Sequence, residues 1–274
     1  MPVATIERER KRTMQRRRFV QQFGAGFLSV LGLGLASNWQ QAEAQSSGLQ
    51  IRWLGHMCFL FSGNGRRILV NPFRALGCAA GYPVPNEAAD AVLISSRLFD
   101  EGGTLQGLAG DPEILSEAAV YDLSPIQIQA IETPREREAG RQFPPNLIWS
   151  WRQGGLNVVY LGGINSPIEL EEQILLGRPD VLVVPVGGGP KAYDAEEAIS
   201  AMNALSPRIV IPMQYRTAAA DPEQCDIDEL QRFLGLIPTV ATRQAAGNSV
   251  TLTTASLPGG DGMIVQRFTD PISS

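Results

Sequence analysis

Residues able to do chemistry are sparse in this chain. One histidine, His56, occurs in 274 residues. Neutral imidazole is the commonest zinc ligand, and a single one cannot build a site that takes two or three. Ser95, Ser96 and Arg97 are followed closely by Asp100 and Glu101. A serine becomes a nucleophile only with a base in hydrogen-bond reach, and no histidine lies near this motif in the sequence. Asp100 and Glu101 are adjacent, whereas a general acid and base must flank a substrate from opposite sides. Gly187-Gly188-Gly189-Pro190 has the look of a phosphate loop but lacks the Lys-Ser/Thr that must follow, so it reads as structural.

Three cysteines, Cys58, Cys78 and Cys225, allow at most one disulfide. Cys58 lies among strand-forming residues and reads as a small buried hydrophobe. Cys78 and Cys225 both fall in loops; a bridge between them is open, and the sequence gives no geometry for it.

The first 44 residues read as an export signal. Arg16-Arg17-Arg18-Phe19 follows a basic start, an apolar Gly-rich stretch covers 23–36, and Ala42-Glu43-Ala44 offers a cleavage site. The Arg16-Arg17 pair resembles a twin-arginine address, read by a receptor and not itself an anchor. The apolar stretch is shorter than the roughly 20 residues a bilayer core requires. The expected location is a periplasm or a thylakoid lumen, with membrane contact only in transit. Segment 1–44 carries seven of the 23 basic and three of the 28 acidic residues, so the remainder has a net charge of −9. That argues against nucleic acid and anionic membrane surfaces as partners.

Residues 45–274 are expected to form a single domain. Strand-like runs occur at 49–54, 58–61, 67–70, 91–95, 126–131, 147–151, 157–161, 181–184 and 209–211. Gly63-Asn64-Gly65 and Gly154-Gly155 mark hairpin turns. The uninterrupted apolar runs at 181–184 and 209–211 suit strands covered on both faces. Helices are expected at 167–176, 194–205 and 226–234, and a final β pair at 242–254 and 262–268. Two sheets packed face to face with helices outside give an α/β, four-layer αββα sandwich.

Several of these segments carry a family signature. Trp53-Leu54-Gly55-His56-Met57-Cys58-Phe59-Leu60 is similar to the W-L-G-H-x-C-F-L opening of the metallo-β-lactamase-fold superfamily, in its branch of bacterial metal-dependent hydrolases. Arg67-Ile68-Leu69-Val70-Asn71-Pro72-Phe73 resembles the family's I-L-V-D-P-F run, with Asn71 in place of the aspartate. The late segments 181–188 and 207–217 also match. The resemblance implies the metallo-β-lactamase type of αββα sandwich and places the family's T-H-x-H-x-D-H metal motif at 95–101.

At those positions this chain departs from the family. Ser96, Leu98 and Glu101 stand where histidines belong, and Asp100 alone is kept. By the same resemblance the next histidine falls at Arg135, the bridging aspartate at Gly163, and the last histidine at Gln214. Leucine offers no lone pair, a guanidinium opposes a cation, and an amide does not replace imidazole at zinc. The resemblance gives His56 no metal-binding role; it is expected to be a buried structural residue, with a proton carrier in the cleft as the alternative.

The function expected from these losses is non-catalytic: an exported pseudo-hydrolase without cofactor or zinc, binding a protein partner or a small anionic ligand. Arg135, or else Arg97, would pair with Asp100 or Glu101, or clamp a carboxylate or phosphate. The alternative is a hydrolase working in the same cleft, either with an all-oxygen metal site from Asp100, Glu101 and Gln214 or without a metal.

Overall fold

The computed structural model describes residues 48–99, 101–102, 105, 107–135 and 143–273. The segment read as an export signal and Asp100 lie outside them.

The first sheet opens with an antiparallel meander of β1 (Leu49–Gly55), β2 (Cys58–Gly63) and β3 (Arg66–Val70). The turn between β2 and β3 holds Asn64 and Gly65 at φ 54° and 70°, the left-handed pair that a two-residue hairpin demands. β4 (Ala91–Leu93) and β5 (Glu113–Leu115) add in parallel to β3. The second sheet begins with the antiparallel strands β6 (Val120–Leu123), β7 (Ile126–Thr133), β8 (Asn146–Gln153) and β9 (Leu156–Tyr160). β10 (Val181–Pro185) and β11 (Ile209–Met213) continue it in parallel. Both are buried at every position, as their unbroken apolar sequence requires.

Three helices connect or follow these strands: α1 (Leu170–Leu176), α2 (Ala195–Leu205) and α3 (Leu230–Leu236). α2 starts where the acidic cap was expected: Asp194 accepts from the Glu197 backbone N–H, and Glu197 accepts from that of Asp194. α3 starts four residues later than expected. Residues 226–229 stay extended because their backbone is used elsewhere: Asp228 N–H donates to Gly187, and Arg216 N–H donates to Asp228. Pro167 likewise precedes α1 instead of opening it.

The expected terminal β pair forms only in its first half, between residues 241–244 and 264–267. Three strands occur, β12 (Ala241–Gln244), β13 (Ser249–Leu252) and β14 (Ile264–Arg267). β13 crosses to pair with β1, while β12 and β14 run parallel at the edge of the second sheet. The physical reason is Gly247-Asn248, which breaks the run and lets the chain change sheets; Asn248 then holds both polar groups of the Trp53 backbone.

The main core lies between the sheets, with Trp53, Phe59 and Phe61 facing Trp149, Trp151 and Tyr160. A second core packs α2 and α3 on the outer face of β9, β10 and β11. The outer face of the first sheet is covered by Phe73, Ala79 and Tyr82 from a long loop with one short 3₁₀ turn. This is the α/β sandwich of the metallo-β-lactamase type, with a loop-built layer on one side. Among the described residues no helix is long and apolar enough to cross a membrane.

Candidate functional site

Strand direction gathers the site. β1, β3 and β4 run one way in the first sheet, and β7, β9, β10 and β11 share one direction in the second. Within one to six residues past each C-terminal end stands a polar residue or a glycine at one edge of the sandwich. His56 follows β1, Asn71 follows β3, and Ser95 and Ser96 follow β4. Arg135 lies past β7, Gly163 past β9, Lys191 past β10, and Gln214 directly after β11. Crevices at the carboxyl ends of strands are the usual ligand sites of α/β sheets.

Local backbone geometry marks the same edge. Five described non-glycine residues adopt positive φ, and three of them are His56 (47°), Asn71 (51°) and Gln214 (52°). Such conformations cost free energy and persist where the surroundings impose them. Gln214 N–H donates to the His56 carbonyl (3.4 Å), which also takes the Trp53 indole N–H (3.1 Å), so the two strand ends are fastened together.

Glu101 is the hub. Its carboxylate is fully buried and accepts from the Arg135 guanidinium at 2.6 Å and from the Ser96 hydroxyl at 3.4 Å, while the Lys191 ammonium lies 3.8 Å away. Arg135 also donates to the Gly163 carbonyl at 2.8 Å. A side chain at residue 163 would put its Cβ 2.3 Å from the Arg135 guanidinium, so this pair needs a glycine there. Four of the positions expected in the cleft, Ser96, Glu101, Arg135 and Gly163, are therefore in mutual contact. Leu98 is half-buried beside them, with its N–H on the Ser96 hydroxyl. Arg97 is exposed.

Around this hub the hydrogen bonds are structural. Asn71 accepts from Ser95 N–H and donates to the Tyr160 hydroxyl, which in turn donates to the Met57 carbonyl. Burial, reinforced by Cys58 and Glu101, holds the Tyr160 phenol far above its ordinary range. The Ser95 hydroxyl accepts from the Trp149 indole, and the Ser96 hydroxyl meets a carboxylate already ion-paired with Arg135, so neither serine faces an imidazole that could activate it.

A pocket of about 60 Å³ opens beside the hub, more than the roughly 10–15 Å³ one water needs. His56, Lys191, Gln214 and Asp226 line it, together with Gly188 and Cys78. The Gln214 side-chain oxygen is buried without a hydrogen-bond partner, an acceptor that calls for a donor or a cation. Lys191 and Asp226 escaped the sequence reading; the one available signal was the position of Lys191 directly after the glycine loop. The Cys78–Cys225 bridge, left open by the sequence, is formed, with Cα atoms 4.7 Å apart.

Zinc held in the family manner does not fit these residues. None of the corresponding positions in the described residues carries an imidazole, and no group of three His, Cys, Asp or Glu side chains among them could hold a metal. Arg135 and Lys191 set two cationic groups against the one carboxylate at the hub.

Residues 50–214 match the family described as beta-lactamase superfamily domain. A UPF0173 protein of Pyrococcus furiosus is 30% identical over 201 residues, covering 64% of this chain and 88% of that protein. A UPF0173 metal-dependent hydrolase of Thermoplasma acidophilum is 25% identical over 218 residues, covering 71% and 93%. A metallo-beta-lactamase superfamily structure from Thermotoga maritima shares the fold at a TM-score of 0.63 and 24% identity, over 81% of this chain and 100% of that one.

These relatives correct two expectations. A non-catalytic binding protein no longer stands as the reading, because relatives spanning most of the chain are named as hydrolases. The expectation of no cofactor falls with it, because the same names state metal dependence. The physical reason is that the fold keeps a polar cleft at its strand ends whichever single side chains line it, so the side chains at 96, 98, 101, 135, 163 and 214 do not by themselves exclude catalysis or a metal. With the residue match, the strand order and the relatives in agreement, this chain belongs to the metallo-β-lactamase superfamily.

Proposed function

We propose that this chain is a hydrolase acting in the pocket beside Glu101, with its own side chains supplying the polar contacts to water and substrate. The observation that carries the reading is the convergence of His56, Lys191 and Gln214 on one small pocket at the strand ends. Hydrolysis needs a positioned water, a proton acceptor and a positive group for the developing oxyanion. Gln214 offers the buried acceptor that would orient the water. His56 is the imidazole able to take its proton. Lys191, kept near the pocket by Glu101, would stabilise the negative charge and favour a substrate with an anionic group. Arg135 holds Glu101 in place and is a positioning residue.

The test is hydrolysis of chromogenic ester, phosphoester and lactam probes by the purified chain. Lys191→Ala and His56→Asn should each lower kcat/KM on the responding probe by about 10²–10³; asparagine tolerates the left-handed backbone at residue 56. Hydrolysis unchanged in both variants would remove this pocket from the reaction.

One observation favours a second reading: the unpartnered Gln214 oxygen could join Glu101 around an oxygen-preferring cation. Activity lost to a chelator and restored by Mg²⁺ or Mn²⁺ would select it. Export is part of the proposal too, supported by the sequence signals in residues 1–44 and by a disulfide of the kind oxidising compartments maintain.

A further inference from the structure

The Cys78–Cys225 bridge joins the two loops that wall the pocket. Gly77 and Cys78 line one side; Gln224, Asp226 and Ile227 line the other. The bridge links residues 147 apart in the chain. Its surroundings form a small apolar cluster of their own, Cys78, Cys225 and Ile227 with Ala220, separate from the three larger cores. Backbone bonds from Gly81 N–H to Ala219 and from Asp221 N–H to Gly77 complete the junction. Ala79, Tyr82 and Ala219 anchor the base of the junction in the core on the first sheet, whereas Gly77, Cys78 and residues 220–228 have only the small cluster and the bridge for apolar packing.

The second loop is coupled onward to the polar groups of the pocket. Asp228 N–H donates to Gly187, at the head of the loop carrying Lys191, and Arg216 N–H, two residues after Gln214, donates to Asp228. A shift of residues 225–228 is therefore transmitted to both.

We propose that this disulfide is a redox clamp on the pocket: closed, it assembles the wall, and reduced, it releases residues 77–78 and 220–228. The chemistry is ordinary exchange with a dithiol reductant. One dithiol sulfur attacks the bridge to give a mixed disulfide, and the second closes on the first. The S–S bond breaks, two protein thiols form, and the dithiol leaves as a cyclic disulfide after giving up two electrons. Cys58 stays out of the exchange, since burial holds its thiol protonated well above the usual range. The effect on turnover rests on the hydrolase reading; the release of the wall does not.

The experiment is hydrogen exchange on the full chain, oxidised and after dithiol treatment, with probe hydrolysis followed in parallel. Reduction should speed exchange about tenfold or more in residues 77–78 and 220–228 and leave β2, β8 and β10 protected. Hydrolysis of the responding probe should fall and return on reoxidation. A Cys78→Ser/Cys225→Ser variant should match the reduced state and ignore the dithiol. Unchanged protection after verified reduction would overturn the clamp, and so would unfolding of the whole chain, which would make the bridge a general staple. If no probe is hydrolysed in either state the hydrolase reading fails, while the exchange measurement still decides the clamp.

Discussion

At the scale of single residues, the hub is a buried ion pair whose members depend on each other. Glu101 and Arg135 have no exposed side-chain surface, so removing either takes from the other its nearest counter-charge in a low-dielectric setting. Arg135→Ala is expected to cost about 3–5 kcal/mol in denaturant unfolding. Replacing both, as Glu101→Leu with Arg135→Met, should cost much less than the sum of the singles, because no orphan charge remains. Additive losses would show that the two act independently. The sequence placed Ser96, Glu101, Gly163 and Gln214 from segments that resemble the family's, while Arg135 lies in a variable loop where the resemblance is weaker. The sequence did not make Lys191 legible. Lysine is common on surfaces, and only the turn through Gly188 and Gly189 brings it to Glu101.

At the scale of elements, the long apolar or alternating runs were readable and the short or polar ones were not. β10 and β11 declare themselves because every residue is buried. β6 and β12 do not, since most of their residues are half-buried or exposed and their place is set by pairing partners. The helix starts divide the same way. α2 is fixed by a local capping box and was legible; α3 is delayed by long-range backbone bonds that no local pattern records. The capping box can be tested directly. Asp194→Ala removes the acceptor for the Glu197 N–H and should cost about 1 kcal/mol. It should also quicken hydrogen exchange in the first turn of α2, which begins four residues after Lys191. Unchanged stability and exchange would show that packing against the second core alone fixes that helix end.

At the scale of the whole molecule, buried phenols and one buried thiol tie stability to pH. Burial raises the ionisation of Tyr82, Tyr160, Tyr193 and Tyr215 above the ordinary value of 10.0, with nearby carboxylates adding to the rise at Tyr82, Tyr193 and Tyr215. Cys58 rises in the same way from 9.0, chiefly by burial. In each case the folded state keeps its proton at a pH where the unfolded chain gives it up. Unfolding then releases protons, and stability must fall as pH rises. Below the ordinary values both states are protonated, and the contribution is present in full. The window therefore opens near the thiol value of 9.0 and steepens past the phenol value of 10.0. Urea midpoints measured from neutral pH upward should be level and then decline across that window, with the phenolate absorbance appearing together with unfolding. Tyr160→Phe should make the decline shallower, since phenylalanine keeps the apolar ring between the sheets and removes the proton. A midpoint that holds steady past pH 10 would mean that these side chains ionise as freely in the fold as out of it, which the dry interior around Tyr160 forbids.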